Sequence, residues 1–253
     1  MVRISACSNQ KGGVGKTTTV VNLAAYLALS GHRTLVVDLD PQGNATSGLG
    51  VDPRAEGPSL YHALLGQTEI ASVIRQTEIP GLDVAPSSVA LAAAEVELVP
   101  VADRERRLEA CLAPAGAAYD RVLIDCPPSL GLLTLNALTA ADSVLIPIQT
   151  EYYALEGLGQ LLNTIRRVRE SLNPRLEIEG VLLTMFDART RLSVQVAGEV
   201  RRHMNGTVFD TVVPRSVRLS EAPSHGRPIP LYDPASRGAQ AYRSLAGEVM
   251  ARG

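Results

Sequence analysis

The stretch QKGGVGKTTT, residues 10–19, decides the fold that we expect for this chain of 253 residues. It contains Lys11 and Lys16, the only two lysines of the sequence, whereas the other basic side chains are 22 arginines. An apolar run at 3–8 precedes the stretch, and a helical pattern follows it from Thr17. A glycine-rich loop between a strand and a helix is the setting in which backbone amides wrap a phosphate group. The sequence therefore predicts a P-loop at this position.

Apolar runs that predict buried strands alternate with helical patterns along the rest of the chain. The predicted strands lie at 34–40, 82–86, 120–128, 143–149, 177–185 and 209–214, and the predicted helices at about 59–65, 69–76, 87–97, 103–113, 154–172, 190–204 and 235–250. Continuous apolar strands that alternate with helices are typical of a parallel sheet covered on both faces. No internal repeat or linker interrupts the order. We therefore predict a single domain over 1–253, an α/β fold with a doubly wound, mostly parallel sheet.

The loop matches the common P-loop pattern G-x-x-x-x-G-K-[ST] only in part. Gly15, Lys16 and Thr17 fill its last three places, but Gln10 stands at the first glycine. Lys16 is predicted to contact the β- and γ-phosphates of ATP, and the Thr17 hydroxyl to bind Mg²⁺. A compact ammonium fits inside a phosphate-wrapping loop better than a planar guanidinium, which explains a lysine here. The other nucleotide-binding residues predicted from the loop are Gly12, Gly13, Val14 and Thr18.

Acidic residues end two of the predicted strands. Asp125 follows three apolar residues in VLIDCPPSLG (122–131), and Asp38 and Asp40 end the second strand. Carboxylates at neighbouring strand ends can order Mg²⁺ or its waters, so Asp125 is predicted at the metal. The segment PQGNATSG (41–48) is predicted to be a mobile switch loop that senses the γ-phosphate. The alternative for these aspartates is a helix cap or a turn.

The pattern KGGVGKTT (11–18) resembles the deviant Walker A loop of the ParA/MinD family of P-loop ATPases. In that family the extra lysine contacts nucleotide phosphates across a dimer interface, which implies that Lys11 acts in trans. The resemblance also implies that Asp40 positions the attacking water and that Asp38 lies close to the metal. Further motifs are similar to chromosomal ParA proteins: DLDPQGNATSGLG, IDCPPSLGLLTLNAL, EYYALEGL, TMFDART and PRSVRLSEAPSHGRPI.

This resemblance implies a Mg²⁺-dependent ATPase that forms a homodimer on ATP binding and binds double-stranded DNA without sequence preference. It further implies a ParB-type partner, a role in chromosome segregation, and a cytoplasmic, nucleoid-associated location. Met185 and Pro214 are the implied contacts of the adenine, and the segment 214–226 is expected to be a loop beside it. Arg189 and Arg218 are the implied DNA contacts.

Charge is distributed unevenly along the chain. Residues 1–160 hold 10 basic and 17 acidic side chains, whereas residues 161–253 hold 14 basic and 9 acidic ones. The excess of five positive charges in the C-terminal third favours an anionic partner, and arginines can grip phosphates without reading bases. A solvated arginine-rich face is the alternative interpretation.

Three other classes of P-loop protein compete with this interpretation. A MinD-like membrane-cycling ATPase that positions division or other cargo needs an amphipathic C-terminal helix. The end of this chain, SRGAQAYRSLAGEVMARG, has neither Phe nor Trp, so no stable membrane association is expected. An iron–sulfur reductase needs two cysteines at a dimer axis, whereas Cys7, Cys111 and Cys126 lack metal-site spacing. The third alternative is an enzyme that phosphorylates or amidates a small molecule.

Overall fold

A single sheet of eight strands organises the computed structural model, which describes residues 2–151 and 154–252. The strands are β1 (Arg3–Cys7), β2 (Thr34–Asp38), β3 (Arg75–Gln76), β4 (Leu82–Ala85), β5 (Arg121–Asp125), β6 (Ser143–Gln149), β7 (Glu177–Phe186) and β8 (Val208–Pro214). Their order across the sheet is β3-β4-β2-β5-β1-β6-β7-β8. Every neighbouring pair is parallel except β3–β4, which is antiparallel.

Twelve α-helices connect or follow these strands within the described residues. They are α1 (Lys16–Leu29), α2 (Asn44–Gly48), α3 (Leu60–Leu64), α4 (Ile70–Val73), α5 (Leu91–Glu97), α6 (Arg107–Leu112), α7 (Leu132–Ala140), α8 (Ala154–Ser171), α9 (Arg191–Met204), α10 (Val217–Glu221), α11 (Ile229–Tyr232) and α12 (Arg237–Arg252). Within residues 2–151 and 154–252, every helix is too short or too polar to span a bilayer. Tyr152 and Tyr153 of the EYYALEGL motif lie outside the described residues.

Helices cover both faces of the sheet, because the strands are apolar on both sides. In β2, Leu35 and Val37 belong to one apolar core and Val36 belongs to the other. Helices α7, α8 and α9 contribute to the first core, and α1 and α12 to the second. This alternation confirms the predicted doubly wound, mostly parallel α/β fold. The extent of the domain, 1–253, stays a prediction.

Several predicted boundaries are wrong. The helix predicted at 69–76 ends at Val73, and residues 75–76 form the edge strand β3. The strand predicted at 34–40 ends at Asp38. Helix α7 has no counterpart in the prediction because its sequence, LLTLNALTA, is apolar on nearly all sides and therefore shows no helical period. The predicted loop at 41–48 contains α2, and the predicted loop at 214–226 contains α10 followed by a 3₁₀ turn.

Gly180 of β7 lies where a side chain has no room. A Cβ atom there would be 2.6 Å from Cζ of Phe209 and 2.8 Å from Nη1 of Arg252, whose guanidinium stacks on the Phe209 ring at 4.2 Å. We expect Gly180→Ala to lower the free energy of unfolding by about 1–3 kcal/mol because the core is overpacked. Urea denaturation measures this loss. Gly198→Ala, at an exposed position of α9, is the matched control. The added methyl would meet no atom of the described residues within 4 Å, so the free energy of unfolding should stay the same or rise slightly.

Candidate active site

The P-loop runs from the end of β1 to the start of α1 and needs glycine at two positions. Gly13 has φ +74° and Gly15, the residue before α1, has φ +89°, both in the left-handed region that other residues avoid. This backbone turns the first amides of α1 towards the loop, where an anion is favoured. The predicted P-loop is therefore present between a strand and a helix.

Lys16 is buried in this loop although it carries a charge. Lys16 is only 7% exposed. Its Nζ donates a hydrogen bond to the Lys11 carbonyl at 3.4 Å. No carboxylate of the described residues forms an ion pair with it. Burying an unpaired ammonium is costly, so an anion in the loop would offset that cost.

Neighbouring strand ends hold the loop in place. Thr184 at the end of β7 donates its hydroxyl to the Val14 carbonyl at 2.8 Å. Asn9 accepts the Lys11 amide on Oδ1 at 3.0 Å and donates Nδ2 to the Pro147 carbonyl of β6 at 2.7 Å. Thr184 and Asn9 were not predicted, because their hydrogen bonds join segments more than 130 residues apart.

Two residues of the predicted metal site meet below the loop. Thr17 donates its hydroxyl to Oδ2 of Asp125 at 2.7 Å, while Oδ1 of Asp125 is buried and has no hydrogen-bond partner among the described residues. Burial raises the pKa of Asp125 well above its usual range, and the negative charge of Asp38 adds to the effect. A hydroxyl beside a free, buried carboxylate oxygen suits a hard divalent cation such as Mg²⁺, which takes oxygen ligands and keeps several waters.

Asp38 is directly opposite Asp125 in the sheet register, but its oxygens are already engaged. Oδ2 accepts the Thr46 amide at 2.8 Å and the Thr46 hydroxyl at 2.7 Å, and Oδ1 accepts the Asp40 amide at 3.2 Å. Burial raises the pKa of Asp38 to about 6, although the hydrogen bonds from Thr46 lower it. Asp38 thus anchors the predicted switch segment, including α2, beside the predicted metal site.

Asp40 lies just beyond β2 and is 8% exposed. Its Oδ1 accepts the Gln42 amide at 3.0 Å, and its carbonyl accepts the buried Ser87 hydroxyl. Its charge also contributes to the raised pKa of Asp125, so the three predicted carboxylates share one edge of the sheet. Ser87 was not predicted, since nothing in its local sequence signals this contact.

Lys11 points away from the loop interior. Its Nζ lies 3.0 Å from Oε2 of Glu151, which follows β6, and the Lys11 side chain is 36% exposed. The neighbouring Gly12 is exposed, and a Cβ there would meet no atom of residues 2–151 and 154–252 within 4 Å. The pairing of Glu151 with Lys11 was not predicted, because it joins residues 140 positions apart.

A pocket of about 390 Å³ opens beside the P-loop. Gly15 and Thr18 form one side of it, and the predicted adenine contacts Met185 and Pro214 line it as well. Met185 has φ +49°, a strained conformation for a side chain of this kind, and such strain often marks a binding site. The structure therefore brings both predicted base contacts next to the loop. The lining residues that were not predicted include Thr184, Leu219 and Tyr242.

The two predicted DNA-binding arginines are exposed, and both form ion pairs with nearby carboxylates. Arg189 donates Nε to Oδ1 of Asp187 at 2.9 Å and Nη2 to Oδ2 at 2.8 Å. These hydrogen bonds hold the pKa of Asp187 down at about 2. Arg218 lies 3.0 Å from Glu221 and 3.4 Å from Asp233. Its contact with DNA would exchange these carboxylates for phosphates.

Known proteins share this sequence and fold. A family model described as an AAA domain matches residues 2–178. The chain is 58% identical over 253 residues to the sporulation initiation inhibitor protein Soj of Bacillus subtilis, with 100% of both chains covered. It is 56% identical over 250 residues to the chromosome partitioning protein ParA of Myxococcus xanthus, covering 99% of this chain and 88% of that protein. The chain is also similar to a crystal structure of cobyrinic acid a,c-diamide synthase from Mycobacterium smegmatis, which contains bound ADP and magnesium. The two superpose with a TM-score of 0.87 at 41% sequence identity, and the match covers 98% of this chain and 93% of that one.

The geometry around Thr17 predicts how binding of ADP depends on Mg²⁺. Thr17→Ala removes the hydroxyl that we expect to bind the metal, so ADP affinity should become the same with Mg²⁺ as with a chelator. Thr17→Ser keeps the hydroxyl and should retain the Mg²⁺ dependence of the unmodified protein. Titration calorimetry with ADP in both buffers tests this. A strong Mg²⁺ dependence in Thr17→Ala would contradict the assignment of the Thr17 hydroxyl as a metal ligand.

Proposed function

This chain belongs to the ParA/Soj family of chromosome-partitioning ATPases, and we propose that it is a Mg²⁺-dependent ATPase that dimerises on binding ATP. The dimer binds double-stranded DNA without sequence preference and acts with a ParB-type partner in chromosome segregation, in the cytoplasm on the nucleoid. The observation that carries the ATPase activity is the Thr17–Asp125 pair with its free buried oxygen, directly below the loop that holds Lys16.

The phosphate end of ATP would be bound by the loop amides of residues 12–18 and by the buried ammonium of Lys16. Thr17 and Asp125 would hold Mg²⁺, which neutralises phosphate charge when it is bound. The pocket beside Met185 and Pro214 is adjacent to the loop and large enough for a purine base. Together these features support ATP as the ligand.

Hydrolysis needs a water that is oriented towards the γ-phosphate. We assign that role to Asp40, because the Gln42 amide donates to its Oδ1 and the Ser87 hydroxyl donates to its carbonyl, which hold it at the same edge as Asp125. Lys11 would stabilise the charge that develops on the phosphates of the partner subunit. Its exposure, and that of Gly12 and Gly13, supports a contact with a second molecule.

DNA binding is supported by charge alone. The C-terminal third has five more basic than acidic side chains, and Arg189 and Arg218 are exposed. Contacts of this kind bind phosphates irrespective of base sequence and weaken steeply with salt.

A MinD-like membrane-cycling ATPase is less well supported than DNA binding. Helix α12 packs Tyr242, Leu245 and Val249 into the core beside α1, so its apolar face is already buried within the chain. A helix that inserts into a membrane surface needs such a face to be available.

A small-molecule amidating enzyme is a second candidate, because one structural neighbour at 41% identity is named as a synthase. Stimulation of ATP hydrolysis by DNA and a ParB-type protein would support the partitioning role. Stimulation by cobyrinic acid with glutamine, and not by DNA, would support the enzyme instead.

The first test of the proposed function uses Gly12→Val. A valine at this exposed position leaves the monomer undisturbed but would lie between two subunits that face each other through their P-loops. We expect this variant to bind ATP normally, to remain monomeric and to lose ATP-dependent binding to random-sequence DNA. Light scattering measures whether the variant is a monomer or a dimer with ATP. Binding to random-sequence DNA across a salt series measures the loss of DNA affinity. Gly247→Val, exposed on α12, is the matched control, and a normal dimer of Gly12→Val would contradict the proposed interface.

The ion pair between Arg189 and Asp187 predicts that a variant without the Asp187 charge binds DNA more tightly. Asp187→Asn frees the guanidinium, so ATP-dependent DNA binding should become tighter and its logarithmic salt dependence steeper by about one per subunit. Asp120→Asn, which also removes one negative charge and breaks the exposed pair with Arg33, is the control for net charge. Equal effects of the two variants would mean that Arg189 makes no specific contact with DNA.

A further inference from the structure

The lysine that we assign to catalysis across the dimer interface is held within its own chain. Lys11 Nζ lies 3.0 Å from Oε2 of Glu151. The other carboxylate oxygen, Oε1, accepts a hydrogen bond from the side-chain amide of Gln149, which fixes the orientation of the carboxylate. Both oxygens of Glu151 are therefore engaged, one of them by Lys11.

The sheet places these two residues next to each other. Lys11 follows β1 and Glu151 follows β6, and β1 and β6 are parallel neighbours, so their carboxyl ends lie at the same edge. The backbone at Lys11 is fixed separately, because its amide donates to Asn9 and its carbonyl accepts from Lys16. Only the side chain of Lys11 needs to move in order to leave Glu151.

We propose that Glu151 is a positioning residue that stores Lys11 in the nucleotide-free monomer and must release it before the lysine can reach the partner's phosphates. This inference rests on the proposed function, since it assumes that Lys11 acts in trans. On dimerisation, each of the two Lys11 side chains then leaves Glu151 of its own chain and contacts a phosphate of the nucleotide bound by the partner subunit. The strength of the Lys11–Glu151 pair sets how readily the ATP-bound monomers associate.

The expected size of the effect follows from the exposure of the pair. The side chains are 36% and 47% exposed, and ion pairs of this kind change an equilibrium by roughly 1.4- to 5-fold. A symmetric dimer breaks two such pairs, so the factor is squared, to about 2- to 30-fold. Removing the charge of Glu151 should therefore tighten the dimer by that factor.

The test measures the dissociation constant of the dimer at saturating ATP and Mg²⁺, in an Asp40→Ala background that blocks hydrolysis. Glu151→Gln should lower this constant about 2- to 30-fold. Glu151→Asp, which keeps the charge, and Glu156→Gln, which removes an exposed carboxylate five positions further along, should leave it near the parent value. An unchanged or weaker dimer of Glu151→Gln would overturn the proposal. If the parent itself stays monomeric with ATP, the dimer of the proposed function is wrong.

A second measurement examines the pair without nucleotide and without a dimer. Because Lys11 and Lys16 are the only lysines, acylation of the chain by an activated ester reports on two side-chain amines, which mass spectrometry separates from each other and from the α-amine. Acylation of Lys11 relative to buried Lys16 should rise about 1.4- to 5-fold in Glu151→Gln and stay constant in Glu156→Gln. An unchanged ratio in Glu151→Gln would show that the pair does not hold Lys11 in the resting protein.

Discussion

The burial of like charges at one edge of the sheet is the constraint on which the candidate site depends. Asp38 and Asp125 are fully buried and opposite each other in register, and Asp40 is nearly buried beside them. Burial raises the pKa of both Asp38 and Asp125, and a neighbouring negative charge adds to the effect in each case, that of Asp40 for Asp38 and that of Asp38 for Asp125. Burial and repulsion both oppose the charged form of these carboxylates, and a bound cation would offset them. A binding site of this kind gains affinity from the relief of repulsion as well as from direct contacts.

The sequence predicted the parts of this site that follow from parallel strands. Thr17 and Asp125 were assigned separately and meet at 2.7 Å, since the carboxyl ends of β1 and β5 share one edge. Met185 and Pro214 meet in one pocket for the same reason, at the ends of β7 and β8. The contacts that were missed join distant segments through single side chains, as Glu151 does with Lys11. Helices α2 and α10 were missed because their sequences, NATSG and VRLSE, are mostly polar and lie in segments that were predicted as loops.

Buried hydroxyl groups connect the P-loop with the segment that carries Arg189. The Thr184 hydroxyl donates a hydrogen bond to the Val14 carbonyl. The Thr184 carbonyl accepts one from the Thr150 amide. The Thr150 hydroxyl lies 2.6 Å from that of Ser193, which in turn accepts the Asp187 amide at 3.1 Å. Each of these hydroxyls is almost completely buried, so a shift at one of them disturbs the next. A contiguous network therefore joins the candidate phosphate site to the candidate DNA surface, as a coupling between the two would require.

Three cations to which we assign anionic partners are paired with carboxylates in the isolated chain. Lys11 contacts Glu151, Arg189 contacts Asp187, and Arg218 contacts Glu221 and Asp233. Binding a phosphate at any of these cations replaces its carboxylate partner. The free energy gained is therefore only the difference between the cation–phosphate contact and the cation–carboxylate pair that it replaces. One subunit would therefore bind DNA weakly, whereas a dimer doubles the number of exchanges and multiplies their equilibrium constants. In the proposed cycle the same exchange would favour release, because the internal carboxylates would compete for each cation once the dimer separates. The internal ion pairs would thus favour the reversible, ATP-controlled binding that we propose, whereas unpaired arginines would make release harder.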